Sequence, residues 1–324
     1  MKKSYIIALL SIILLAGTAH ADPAKFTFSA GAGAMSGAVN VAEKKGFFEQ
    51  EGIRGSVDAY NNGQVSFEEY LAGKDDAATT GTINVILTDF DITKHRLIAN
   101  LAYTDNQTKL LAKKSAGITK IADLKGKRIG TVRATTAHFY LCRFLVLNGI
   151  PDAQVNIVYL TKKELPDAIA KGEVDAICQH GMPIENAKKK LGDDWVIFQD
   201  NTIIRKCCLL IVPADTIRHS PKTIDGALKA IIRANGFIRT NTQESVEIIA
   251  KAKKYPVEVM DQSVREEMDF NVTLEQSLLL TLETIEQWAI DNNLVSRTKP
   301  RNYLDFIDYK PLERLDESKV TIIR

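Results

Sequence analysis

The chain is short of the residues that build thiol and metal centres. Its 324 residues include four cysteines, five histidines and two tryptophans. Four cysteines in a chain of this size are no disulfide scaffold, and the absence of C-x-x-C spacing excludes a zinc ribbon or a dithiol redox motif. Cys142, Cys178, Cys207 and Cys208 are expected as small buried hydrophobes. On a strand, the adjacent Cys207 and Cys208 would face opposite sides, with one of them in the core. An oxidising compartment leaves a Cys142–Cys178 or Cys178–Cys207 bridge open. His95, His138, His180 and His219 show neither H-x-x-x-H nor H-E-x-x-H spacing, so neither a metal nor any other cofactor is expected. Excess charge is missing too: 42 Lys and Arg stand against 40 Asp and Glu. No basic surplus exists to hold nucleic acid or an anionic membrane, so a charged partner must be recognised locally.

Long apolar runs are confined to the first residues. Lys2-Lys3, the apolar stretch from Tyr5 to Ala16, and Ala19-His20-Ala21 have the order of a secretory signal peptide cleaved before Asp22. No cysteine follows that site to accept a lipid. Removal of residues 1–21 takes two lysines and no acid, leaving 40 charges of each sign. The mature chain is expected to be exported, periplasmic and monomeric.

From Phe26 onward, strand-like and helix-like segments alternate, which predicts an α/β fold with largely parallel sheets. Phe26–Ala30 alternates as a strand and runs into Gly31-Ala32-Gly33-Ala34-Met35-Ser36-Gly37. A short strand around Val57–Ala59, the buried-looking Ala77–Gly81 and the strand Leu97–Ala102 follow. Arg128–Val132 is a strand that meets a helix at Ala134-Thr135-Thr136-Ala137-His138. Glu173–Cys178 is followed by Gln179-His180-Gly181-Met182-Pro183. The strands Trp195–Phe198 and Cys207–Val212 close the second unit. Beyond Pro221 the periodicity turns helical, including Leu274–Ile290.

Four strand ends thus collect small and polar residues, and α/β sheets bind ligands at the carboxyl ends of their strands. The candidate ligand residues are Gly33, Ala34, Met35 and Ser36; Thr80, Gly81 and Thr82; Thr135, Thr136 and His138; and Gln179 and His180. Tyr103 is added as an aromatic surface. Thr135 or Thr136 is placed to cap its helix, and the remaining free amides favour a negative oxygen by about 0.3–1 kcal/mol. His138, in the first helical turn, is expected to be neutral. Gly31, Gly33 and Gly37 mimic a dinucleotide fingerprint, but the last glycine comes one place late. Ser36 misses the G-x-S-x-G elbow by one place, and no carboxylates pair for acid–base work, so no catalytic residue is assigned.

Several stretches together resemble the nitrate/sulfonate/taurine-type substrate-binding proteins of ABC transporters. Ala42-Glu43-Lys44-Lys45-Gly46-Phe47-Phe48-Glu49-Gln50-Glu51-Gly52-Ile53 is similar to their A-x-x-x-G-F-F-x-x-E-G-I/L signature. Asp123-Leu124-Lys125-Gly126-Lys127-Arg128-Ile129 resembles their D-L-K-G-K segment. Thr135–Phe139 resembles their S/T-x-x-H-Y helix start, and Gly172–Ala176 their G-E-V-D-A strand. The loop His180-Gly181-Met182-Pro183 departs from the family's W-x-P or W-E-P. The resemblance implies a type 2 periplasmic binding fold of two Rossmann-like lobes that close on a ligand. It places lobe 1 at residues 22–108 and 212–324 and lobe 2 at 109–211, with chain crossings near Thr108–Leu111 and Leu209–Val212. It further implies a small-molecule ligand, an organic anion such as a sulfonate or carboxylate, delivered to a membrane ABC permease. Three alternatives accompany that reading: an uncharged nitrogen heterocycle such as a thiamine-precursor pyrimidine, a sensor role presenting the closed lobes to a receptor kinase, and an enzyme on the same fold.

Overall fold

Buried strands need helices on both faces, and the apolar runs of this chain find them in two separate sheets. The structure, a computed structural model, describes residues 24–31 and 33–323; the expected signal peptide lies outside these residues. The strands are β1 (Ala24–Ala30), β2 (Ile53–Ala59), β3 (Ala77–Gly81), β4 (His95–Thr104), β5 (Lys109–Lys113), β6 (Arg128–Thr131), β7 (Asn156–Tyr159), β8 (Ala176–Gln179), β9 (Trp195–Phe198) and β10 (Lys206–Pro213). One sheet has the order β2-β1-β3-β10-β4 and the other β7-β6-β8-β5-β9. Within each, three strands are parallel: β2, β1 and β3 in the first, β7, β6 and β8 in the second. The strands that leave or receive a crossing, β10 and β5, run antiparallel to their neighbours.

The two-lobe expectation holds, and one crossing moves. The chain passes from the first sheet to the second through residues 105–108, as expected. It returns through residues 199–205, not near Leu209–Val212, because β10 pairs with β3 and β4. Cys207–Val212 therefore belongs to the first lobe. An apolar run buried on both faces looks the same in either sheet, so its pattern could not decide between them. Cys207 and Cys208 are both buried for the same reason, and all four thiols are free, with no disulfide.

The C-terminal helices return to the first lobe. Pro221–Thr240 packs on Gly37–Lys44 and Phe47–Gln50, while Gln276–Asp291 packs on Thr82–Leu87. Phe28 stacks on Phe48, with ring centroids 4.9 Å apart, which anchors the Gly46-Phe47-Phe48 turn beneath β1. One apolar core runs from this lobe into the helix Thr136–Leu147 of the second, and Trp288 is part of the join. Its indole meets His138 at 5.1 Å and Phe139 at 5.3 Å, both edge-on. A smaller core of Leu111, Leu165, Ile169, Ile177 and Ile184 fills the outer face of the second sheet.

Candidate ligand cleft between the lobes

The first strand end is built by close approach. A Cβ at Gly31 would stand 2.5 Å from the backbone nitrogen of Gly63, so β1 meets the start of the helix Gly63–Leu71 only because no side chain intervenes. Gly33 takes φ +106° and ψ 167°, a conformation open to glycine alone, and turns the chain into Ala34-Met35-Ser36. Ser36 is buried and donates its hydroxyl to the Gly31 carbonyl at 3.1 Å. The Lys253 ammonium donates to the same oxygen at 2.9 Å, and burial pulls its pKa down to about 8. Two donors thus fix that carbonyl. Ala34 is buried and Met35 half-buried.

The second strand end is also internally satisfied. Thr80 Oγ1 donates to the Gly63 carbonyl at 2.9 Å and accepts from Asn84 Nδ2 at 3.0 Å. Gly81 precedes the helix Thr82–Leu87, whose first residue is buried. That helix is held from behind. Arg297 and Arg301 donate to its last carbonyls, those of Ile86 and Val85, and both guanidiniums pair with the buried Glu286, at 2.5 and 2.9 Å. Cations at a helix C-terminus also complement its dipole.

At the third strand end, Thr135 is the N-cap. Its hydroxyl accepts from His138 N at 3.4 Å and donates to the Val132 carbonyl at 2.7 Å. Thr136 follows, buried, as the first helical residue. Replacing Thr135 with Ala is expected to cost about 1 kcal/mol, the usual price of a lost N-cap, in a chemical denaturation measurement. Ala134 sits at φ +58°, a left-handed conformation that costs a non-glycine residue about 1–2 kcal/mol. Its N–H points to His138 Nδ1 at 3.3 Å, so Nδ1 is the acceptor. The ring proton therefore sits on Nε2 and is donated to the Tyr159 hydroxyl, 3.1 Å away. Burial, with help from nearby Arg133, lowers the His138 pKa to about 4. The ring is neutral but only 2% exposed, covered by Tyr159 and Trp288, so it shapes the cleft wall from behind.

The fourth strand end leaves its polar atoms free. Gln179 is fully buried, and its Oε1 accepts from His180 N at 3.1 Å. Gln179 Nε2 and His180 Nδ1 have no hydrogen-bond partner, and neither has the hydroxyl of buried Thr108 at the first crossing. Native interiors rarely leave such atoms unpaired. Gln179 pairs with Lys109, the residue after Thr108, at the first crossing.

Two lysines complete this region, and neither stood out in the sequence. Lys206, at the start of β10, donates to Gln107 Oε1 at 2.6 Å, which joins the two crossings. It has no ion-pair partner within contact distance. Burial, reinforced by nearby Lys162, drives its pKa down to about 7. Lys162 lies in the loop after β7; its side chain touches solvent yet is ringed by enough protein to lower its pKa as well. His180 feels both ammoniums and, chiefly through burial, is held neutral. Glu267 is engaged elsewhere: Lys109 stands 3.7 Å away, while Gln107 Nε2 and Ser263 Oγ donate to it.

Tyr103 lies on β4 opposite Cys207, beside the start of β10, with the Arg205 guanidinium 4.1 Å above its ring, and a bond to Asp269 raises its pKa to about 12. A separate hollow of about 390 Å³ on the first lobe, bordered by Arg239, Arg265 and Phe270, includes none of the strand-end residues.

Two five-stranded α/β lobes joined by two crossings define a two-lobed α/β architecture. The chain belongs to the family described as NMT1/THI5 like, whose model matches residues 36–245. A Brucella abortus (strain 2308) chain described as a binding protein is 23% identical over 278 residues, covering 83% of this chain and 84% of the relative. The fold is that of the periplasmic aliphatic sulphonate binding protein of Escherichia coli, with TM-score 0.76, 17% identity and coverage of 88% and 92%. It is shared by a desulfurization enzyme solved with biphenyl-2-sulfinic acid, with TM-score 0.69, 14% identity and coverage of 90% and 98%.

Proposed function

We propose that this chain is an exported solute-binding protein that holds a small organic anion between its lobes and delivers it to an ABC importer in the membrane. The observation that carries this reading is Lys206, a lysine at the second crossing with no ion-pair partner within contact distance, whose ammonium acts on His180, a residue with an unpartnered Nδ1. Cations enclosed without a counter-ion are costly unless a ligand supplies one. A neutral heterocycle would leave the Lys206 ammonium uncompensated. The sulphonate-binding relative of the same fold supports an anion as the ligand.

Binding without chemistry fits the side chains. Burial raises the thiols of Cys142 to about 11 and of Cys207 and Cys208 to about 12, and lifts Cys178 further, so these cysteines stay protonated and unreactive. Both ring nitrogens of His138 are already engaged. A thermal-shift panel of sulfonates, carboxylates, nitrate and pyrimidines tests the reading. Stabilisation by at least one anion is expected. A shift with a pyrimidine and none with any anion would overturn it.

A further inference from the structure

We propose that Gln107 is the positioning residue of the hinge: its side-chain amide ties the two crossings together, seats the Lys206 ammonium and takes its orientation from Glu267. The geometry is a chain of three side chains. Lys206, the first residue of β10 after the return crossing, donates to Gln107 Oε1 at 2.6 Å. Gln107, in the outgoing crossing, donates from Nε2 to Glu267 Oε2 at 3.1 Å. An ammonium only donates and an ionised carboxylate only accepts, so the amide between them has a single possible sense. Each end of that amide meets an ion, and hydrogen bonds to charged groups are the stronger ones. The part Lys206 plays towards a ligand rests on the anion reading above; the tie itself does not depend on it.

Glu267 sets that sense because it is itself held. It ends the π-helical turn Ser263–Glu267, closed by a bond from the Met268 N–H to the Ser263 carbonyl at 3.0 Å. Such turns are rare and occur frequently at functional sites. Ser263 Oγ donates to the same Glu267 oxygen at 2.9 Å, and the other oxygen lies 3.7 Å from the Lys109 ammonium on β5. Just after the turn, Asp269 and Tyr103 of β4 exchange two backbone hydrogen bonds, both 2.9 Å long. The turn is thereby pinned to the first lobe, while Lys109 belongs to the second, so Glu267 spans the outgoing crossing. The same stretch is fastened once more. Asn106 Nδ2 donates to the Glu266 carbonyl at 2.8 Å, and Gln199 Nε2, from the return crossing, donates to the Asn106 carbonyl. Asn106 and Gln107 therefore each join the turn to both crossings. Lobe motion about a hinge is absorbed by the backbone of a few such residues. The Gln107 amide requires the two crossings to turn together.

Exchanging amide and carboxylate tests the tie. Gln107→Glu sets a second carboxylate against Glu267 where an N–H stood, and like charges at that distance repel. In Gln107→Glu with Glu267→Gln the two groups change places: the new carboxylate accepts from Lys206 and from the new amide, and the net charge is unchanged. Spin labels at Lys125→Cys on the second lobe and Lys222→Cys on the first, both exposed positions, report the distance between the lobes of the full, ligand-free chain. The four native cysteines are buried. Gln107→Glu is expected to widen the distance distribution roughly twofold and to speed amide hydrogen exchange at residues 105–108 and 199–205 roughly tenfold. The exchanged pair is expected to restore both, and melting temperature serves as the folding control. Should Gln107→Glu not fold, Glu267→Gln alone is read the same way, with exchange expected to quicken roughly threefold. Native distances and native exchange in the single variants, or an exchanged pair as disturbed as Gln107→Glu, overturn the assignment. No ligand enters the measurement, so the thermal-shift panel decides the anion reading separately.

Discussion

Lys206→Met is expected to stabilise the ligand-free protein while lowering its affinity for anions roughly a hundredfold, about 2.8 kcal/mol. Methionine fills a similar volume and removes an enclosed ammonium that lacks a counter-ion, at the cost of one hydrogen bond to Gln107, net about 1 kcal/mol. The sign of the pH dependence follows from the depressed pKa. Between about 7 in the folded chain and the ordinary value of 10.5, the unfolded state binds the extra proton, so native stability rises with pH across that window. The variant lacks this rise. Its advantage in urea denaturation is therefore greatest below about pH 7 and fades towards pH 10. A variant with unchanged anion affinity would remove Lys206 from the site.

Trp288→Ala is expected to produce the largest loss of stability, about 3–5 kcal/mol, as for other large-to-small changes in a packed interior. Trp288 is 8% exposed and belongs to the helix Gln276–Asp291 of the first lobe, yet its ring packs on His138 and Phe139 of the second. The truncation therefore opens a cavity at the junction of the lobes, behind the third strand end. His138 loses its cover. Burial is the main cause of its lowered pKa, so its titration should move from about 4 back towards 6.5, which is measurable by nuclear magnetic resonance. Trp288→Phe should retain most of the stability and the low pKa. A stable Trp288→Ala protein with an unmoved His138 pKa would mean that the indole neither supports the join nor shields the imidazole.

These residues also show which features were legible in the chain. Gly31–Ser36, Thr80–Thr82, Thr135–Thr136 and Gln179–His180 were found because strand-to-helix junctions have local signatures of small residues, caps and prolines. Their hydrogen bonds were not legible. Ser36, Thr80 and Thr135 spend their hydroxyls on nearby carbonyls, which depends on how Gly31, Gly63 and Val132 are placed in space. Lys162 was missed because a lysine in a loop after a strand is ordinary. Its meaning comes from Lys206 and His180, which are distant in sequence. Lys206 was hidden by the misplaced second crossing, since its enclosure requires residues 199–205 to run beside residues 105–108. Trp288 fitted the apolar period of its helix, and the period alone cannot say that the partner lies in the other lobe.

The account's central claim is that an anion binds against Lys206 in the cleft, and proton linkage tests it most directly. Calorimetric titration with ethanesulfonate and with ethane-1,2-disulfonate, repeated in buffers of different ionisation enthalpy, counts the protons taken up on binding. Lys206 is charged at about pH 6 and largely neutral at about pH 8, and an anion in contact with it restores the charge. The predicted result is uptake close to one proton per bound anion at the higher pH and near none at the lower. Tight binding with the same proton count at both would contradict the claim.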